Sequence, residues 1–176
     1  NYNTNMLMDA DAEWLVVEAD EFDRSFLHLA PYGSIITSTD ADHLDIYGDG
    51  ASLAKTFQEY VELVPKDGIV VQQANVTLNP LAKTQIRYDV DNPTAEVNFN
   101  NLRYENGVFT GDLQFKDELF KDVSLGLPGL HNAQNAAAVF ALCYSIGITP
   151  KDIIAAFKTF QGVKRRFETL LQNEHF

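Results

Sequence analysis

An α/β fold, with a mostly parallel sheet flanked by helices and a small antiparallel β annex, is predicted by three features of this 176-residue chain. Short apolar runs at Trp14-Leu15-Val16-Val17, Ser34-Ile35-Ile36-Thr37 and Ile69-Val70-Val71-Gln72 have the length and composition of buried strands. Helical spacing of apolar residues lies between and after these runs, as parallel βαβ units require. Residues 96–125 then change period, with strand-like segments joined by Asn106-Gly107, a type I′ hairpin signal.

The first run ends in Glu18-Ala19-Asp20-Glu21-Phe22-Asp23, and the second leads to Asp40-Ala41-Asp42-His43-Leu44-Asp45. Both are expected to be strands whose carboxyl ends emit carboxylates, at the edge where open α/β sheets bind ligands. Over residues 52–64, Leu53, Phe57, Tyr60, Val61 and Val64 recur at helical spacing, and Pro65 stops the helix before the turn Lys66-Asp67-Gly68.

Residues 96–104, 108–115 and 119–125 form the three expected strands of the annex. Helical period returns over 131–146, with Ala136, Val139, Phe140 and Cys143 as the expected apolar face and Gly147 as a left-handed terminator. Thr149-Pro150-Lys151-Asp152 opens a last helix with a cap, a proline and an acidic first turn; it buries Ile153, Ile154 and Phe157 and stops near Gly162.

Twenty-five acidic against 13 basic side chains leave a formal charge of -12. That surface repels polyanions, which argues against nucleic acid or an anionic membrane as partner, and any phosphate ligand would need cations or local arginines. Cys143 has no second cysteine to pair with, which fits a reducing cytoplasm. No apolar run approaches the roughly 20 residues of a membrane span, and residues 1–5 lack the pattern of a signal peptide.

Four constellations could carry chemistry. Glu18, Asp20, Glu21 and Asp23 could hold divalent cations together with Asp42, His43 and Asp45, or could merely cap the ends of secondary structure. His43 taken alone is an ordinary loop histidine. Asn132 and Asn135 stand three residues apart at a helix start, where two amides could match an adenine edge or Asn132 could act as an N-cap. Lys164-Arg165-Arg166 suits phosphate recognition as well as a solvated linker.

Taken together, Val17-Glu18-Ala19-Asp20-Glu21-Phe22-Asp23-Arg24, Asp40-Ala41-Asp42-His43-Leu44-Asp45, Leu127-Pro128-Gly129-Leu130-His131-Asn132-Ala133-Gln134-Asn135 and Gly162-Val163-Lys164-Arg165-Arg166-Phe167-Glu168 resemble successive motifs of the Mur ligases, in the same order. The acidic segments look most like the branch that adds L-alanine to UDP-N-acetylmuramate. The resemblance implies the P-loop NTPase-like central domain of that family over residues 1–162, with 163–176 as a linker towards an absent C-terminal domain.

It also implies an ATP-dependent ligase of peptidoglycan precursor synthesis, in which ATP phosphorylates a carboxylate and an amine displaces the phosphate. By motif position, Glu18 and His43 correspond to ligands of Mg2+ (Mn2+ being possible), with Asp42 as their outer partner. Asn132 and Asn135 correspond to adenine readers, and Arg166 to a phosphate contact.

No Gly-Lys-Ser or Gly-Lys-Thr occurs, so the family's phosphate loop is missing, and the chain is expected to be a fragment that begins after it and is inactive alone. Three alternatives stay open: a murein-peptide recycling ligase, a folate-type ligase, and a noncatalytic nucleotide-binding domain.

Overall fold

Six strands form one sheet in order β1-β2-β3-β4-β5-β6 in the computed structural model, which describes residues 9–40, 44–105, 108–160 and 162. Strands β1 (Gly33–Ile36), β2 (Ile69–Gln73), β3 (Thr84–Val90) and β4 (Val97–Glu105) pair in parallel. Strands β5 (Val108–Phe115) and β6 (Glu118–Leu125) continue the sheet antiparallel from β4. These antiparallel strands are the expected annex, joined to the parallel part of the sheet through β4. The Asn106-Gly107 turn lies outside the described residues, although Glu105 pairs with Val108 on either side of it.

Helix α1 (Leu44–Tyr47) is a single turn, and α2 (Gly50–Glu62) connects β1 to β2. Its start is set by Asp49, whose carboxylate accepts from the Ser52 N–H at 2.7 Å and is held below the usual carboxylate range by that bond. Helix α3 (Leu130–Ser145) ends as expected at Gly147, with φ +93. Helix α4 (Pro150–Thr159) starts with Thr149 Oγ1 accepting from the Asp152 N–H and donating to the Asp152 carboxylate at 2.7 Å.

Alternation along the strands builds two cores. On one face Ile69, Val71, Ile86, Tyr88, Val97 and Phe99 pack under α3, whose alanines Ala133, Ala137 and Ala141 let the helix lie close to the sheet. On the other face Ile36 and Val70 pack with Tyr60, Val61 and Val64 and with Phe26. Burial of each of these larger side chains is worth about 1.5–3 kcal/mol.

Two expectations need correction, and one strand was not foreseen. Residues 14–17 form no strand, and Leu15 and Val16 are 76% and 92% exposed. A buried strand needs a ladder partner and cover on both faces; among the described residues β1 is the sheet edge, and the run is tethered by the Trp14 ring set 5.6 Å from that of Tyr32. Val139 faces solvent, because the buried side of α3 runs through Ala133, Ala136, Ala137, Phe140 and Ala141. Strand β3 was not expected, although in Thr84-Gln85-Ile86-Arg87-Tyr88-Asp89-Val90 the apolar Ile86, Tyr88 and Val90 alternate with Gln85, Arg87 and Asp89 as a strand requires.

Candidate functional site

The end of β1 and the acidic turn before it face each other across a cleft of about 260 Å³. Ala19 and Glu21 form one wall, Thr37, Ser38 and Asp40 the other, and Phe26, Phe57 and Tyr60 the apolar floor. The floor is rigid: the Phe26 ring stacks on Tyr60 with centroids 4.6 Å apart and meets Phe57 edge-on at 5.4 Å. Ser34 Oγ donates to the Tyr60 hydroxyl at 3.2 Å, which fixes α2 to β1. The cleft is smaller than the roughly 300–1,000 Å³ usual for small-molecule pockets.

The acidic turn is locally determined. Asp20 Oδ1 accepts from the Phe22 N–H at 2.9 Å, and the Asp20 carbonyl accepts from Ser25 Oγ and from the Phe26 N–H. The bonded turn drives Asp23 and Arg24 into the left-handed region, at φ +52 and +57, inside the short 3-10 segment Phe22–His28. Two consecutive non-glycine residues there cost roughly 1–2 kcal/mol each, and strain of this kind collects at functional sites.

The Tyr47 hydroxyl, at the end of α1, donates to the Glu21 carbonyl. The Arg24 guanidinium lies over the same ring, 5.8 Å from its centroid. Burial pushes the Tyr47 phenol above its ordinary range, against the opposing influence of Arg24. Of the carboxylates on the two segments, Glu18, Asp20, Glu21 and Asp23 on one and Asp40 on the other, Glu21 and Asp40 line the cleft. A phosphate could enter such a field only with a cation, and hard carboxylate and hydroxyl oxygens are the donors Mg2+ prefers.

Glu18 is exposed on the acidic turn, adjacent in sequence to the cleft wall at Ala19. Asp42, His43 and Arg166 lie outside the described residues. Among the described residues no group of three or more His, Cys, Asp or Glu side chains could hold a metal ion. Asn132 and Asn135 lie in the first turns of α3, which covers the sheet face opposite the cleft floor. Asn132 Nδ2 donates to the Pro128 carbonyl at 2.6 Å, so its amide braces the Leu127-Pro128-Gly129 turn and does not cap the helix.

Thr37, Ser38 and Tyr47 went unnoticed in the sequence. Tyr47 follows Leu44 and Ile46 in a short mixed segment, so its ring gave no distinct signal.

The family model for the Mur ligase middle domain matches residues 2–143. The chain belongs to the Mur ligase middle-domain family. A UDP-N-acetylmuramate–L-alanine ligase of Christiangramia forsetii is 40% identical over 172 residues, covering 98% of this chain and 36% of that protein. Among solved structures, a UDP-N-acetylmuramate–alanine ligase from Thermotoga maritima has a TM-score of 0.72 at 24% identity, over 86% of this chain and 34% of that one. A MurF ligase from Thermotoga maritima, solved in complex with ADP, has a TM-score of 0.66 at 17% identity, over 78% of this chain and 32% of that one. Both structural likenesses speak for the fold of this Mur ligase middle domain. The chain spans 36 to 39% of the length of curated relatives that it matches. Among the described residues no helix is long and apolar enough to cross a membrane.

Proposed function

We propose that this chain is the ATP-handling part of a cytoplasmic ligase that joins L-alanine to UDP-N-acetylmuramate in peptidoglycan precursor synthesis, and that it needs the rest of the longer protein for activity. Residues 1–162 would be the central domain and 163–176 a linker. The observation that carries the proposal is the match of residues 2–143 to the Mur ligase middle domain; the bond from Tyr47 to the Glu21 carbonyl joins the acidic turn to α1. The 40% identity to a relative named for this reaction supports the choice of substrates.

In the reaction, a carboxylate oxygen of the muramoyl group attacks the γ-phosphorus of ATP and ADP departs. The amino group of L-alanine then attacks the acyl carbon, phosphate leaves with the bonding pair, and the amine loses its proton. Magnesium, when bound, would neutralise phosphate charge as it develops. Glu18 and His43 are assigned as its protein ligands and Asp42 as the outer group that orients them. Thr37 and Ser38, on the cleft wall, offer hydroxyls for phosphate oxygens. Asn132 and Asn135 are assigned to adenine; Asn132 keeps Oδ1 and one N–H for this while its other N–H holds Pro128. Arg166 is assigned to the nucleotide phosphates. The chain's task is mainly positioning and charge neutralisation.

The test is ADP release by the longer protein that contains this chain, with Mg·ATP and UDP-N-acetylmuramate, comparing L-alanine with a tripeptide beginning L-alanyl-γ-D-glutamyl. Turnover with L-alanine is expected. Turnover with the tripeptide alone would assign a recycling ligase instead, and none with either would leave a noncatalytic nucleotide-binding domain.

A further inference from the structure

Strands β2 and β3 are parallel neighbours, and residues 74–83 join them without a helix. Burial alternates along this strap as it does in a strand, with Val76, Leu78 and Ala82 buried and Thr77, Asn79 and Lys83 exposed. Side chains, not a ladder, hold its carbonyls. Arg87 Nη1 donates to the Ala74 and Val76 carbonyls at 3.2 and 2.6 Å, Gln85 Nε2 to those of Pro80 and Ala82, and Gln58 Nε2 to that of Asn79 at 2.9 Å. Fixing such long side chains costs rotamer entropy, so a hold of this kind opens more readily than paired backbone.

Gln72 is the flaw in the arrangement. It is 1% exposed, its Nε2 reaches the Leu78 carbonyl only at 3.4 Å, and its Oε1 has no hydrogen-bond partner. A buried acceptor left unmet is costly. Donors nevertheless stand beside it: Arg87 is its partner in the β2–β3 register, on the same sheet face, and a guanidinium carries five N–H groups. Its partner on β1 is Ile36, which lines the cleft. Val76 and Leu78 pack in one core with Phe26, Ile36 and Tyr60, so the strap backs the cleft floor.

We propose that residues 74–83 are a clamp on the cleft, with Gln72 as its positioning residue. In the tight position Arg87 holds the strap and Gln72 Oε1 goes unmet. In the loose position Arg87 donates to Gln72 Oε1, the Ala74 and Val76 carbonyls turn to water, and the floor parts to widen the cleft beyond its 260 Å³. The clamp stands on the geometry of this chain alone, and its use in nucleotide binding rests on the ligase function proposed above.

The Val76, Asn79 and Lys83 amides donate to three separate acceptors, the Gln73 carbonyl, Gln58 Oε1 and the Lys66 carbonyl. In this chain their hydrogen-exchange protection should agree within about threefold and fall below that of β2, as one cooperative opening requires. Gln72→Leu takes away the acceptor of the loose position and should slow all three by about fivefold, the worth of one hydrogen bond. A residue that only tied the strap down would quicken them when its bond to Leu78 is lost. In the longer enzyme the same variant should raise KM for ATP about fivefold with little change in kcat, since the binding-competent position becomes rarer.

Unchanged or faster exchange in Gln72→Leu, or protection that differs among the three amides, would overturn the clamp. An unchanged KM in an active enzyme would overturn its part in nucleotide binding. Wild-type enzyme that releases no ADP overturns the ligase function and that part with it, while the exchange rates still decide the clamp. Should Gln72→Leu fail to fold, Gln72→Met, unbranched and lacking the same acceptor, gives both measurements.

Discussion

The side-chain amide of Asn92 donates to Asp89 Oδ2 at 3.0 Å, while Asp89 Oδ1 accepts from the Val90 N–H at 2.9 Å and from Gln73 Nε2 at 3.3 Å. This carboxylate makes possible an unusually short link between neighbouring parallel strands. Only residues 91–96 separate β3 from β4, whereas a parallel crossover normally takes a dozen residues or more. Asn92 also takes an acceptor from β4, its N–H bonding Asn98 Oδ1 at 3.0 Å, and Asp91 turns at φ +51. Asp89→Ala strands three donors at a site only 9% exposed. It should lower unfolding free energy by about 2–3 kcal/mol, read as a shift of the urea midpoint, with Asp89→Asn losing less. An unshifted midpoint for Asp89→Ala would show that the link is held by other means.

Gly126 sits where β6 passes α4, with its N–H donating to the Phe157 carbonyl at 2.9 Å. A Cβ there would stand 2.1 Å from the Phe160 carbonyl oxygen and 3.0 Å from that of Phe157, both backbone atoms that cannot step aside. Gly126→Ala should therefore part α4 from the sheet and destabilise by more than about 2 kcal/mol. Gly147→Ala meets open space and pays only for its φ of +93, about 1 kcal/mol. Thermal melts of the two variants check the ranking, and equal losses would contradict it.

Burial, reinforced by the neighbouring Asp89 carboxylate, pushes the Tyr88 phenol up to about 12 from 10.0. Its folded value is raised, so the neutral form favours the folded state. The stability is complete below pH 10 and is lost as pH climbs from 10 towards 12, where the unfolded chain ionises first. The loss across that window is about 2–3 kcal/mol at roughly 1.4 kcal/mol per pK unit. Tyr88→Phe should flatten the decline. Parallel stability curves for the two proteins between pH 9.5 and 12 would argue that Tyr88 does not drive it.

Where the chain announces its own punctuation, the sequence was a good guide. Pro65 after α2, Gly147 after α3 and the Thr149-Pro150-Lys151-Asp152 cap act through local sterics and hydrogen bonds, so their meaning survives without the rest of the fold. Residues 14–17 failed because apolar composition says that a segment can be covered, not that a cover lies beside it. Strand β3 carried a signal that went unused, since Ile86, Tyr88 and Val90 alternate with Gln85, Arg87 and Asp89; the two charges read as loop residues, yet each is satisfied by tertiary partners, Arg87 by the carbonyls of Ala74 and Val76. For the site, the two acidic segments were legible as charge clusters, but their connection through Tyr47 is a long-range contact over 26 positions that no local pattern encodes.

Glu18 offers a separation of function from stability. It is exposed on the acidic turn, and removing an exposed carboxylate changes folding by no more than about 0.5 kcal/mol. If it ligates the cation, its loss removes charge neutralisation from the transition state, an effect of about 10²- to 10³-fold for preorganised electrostatic groups. In the longer enzyme, Glu18→Gln and His43→Ala should each cut ADP release by that order while thermal midpoints stay within about 2 °C of wild type. The two losses should also fall short of additive in the double variant, because one cation serves both residues. Asp67→Asn, an exposed acid in the turn between α2 and β2, is the control and should leave turnover unaltered. Full activity in both single variants would remove Glu18 and His43 from the site, whereas a matching collapse of the thermal midpoint would assign them to structure.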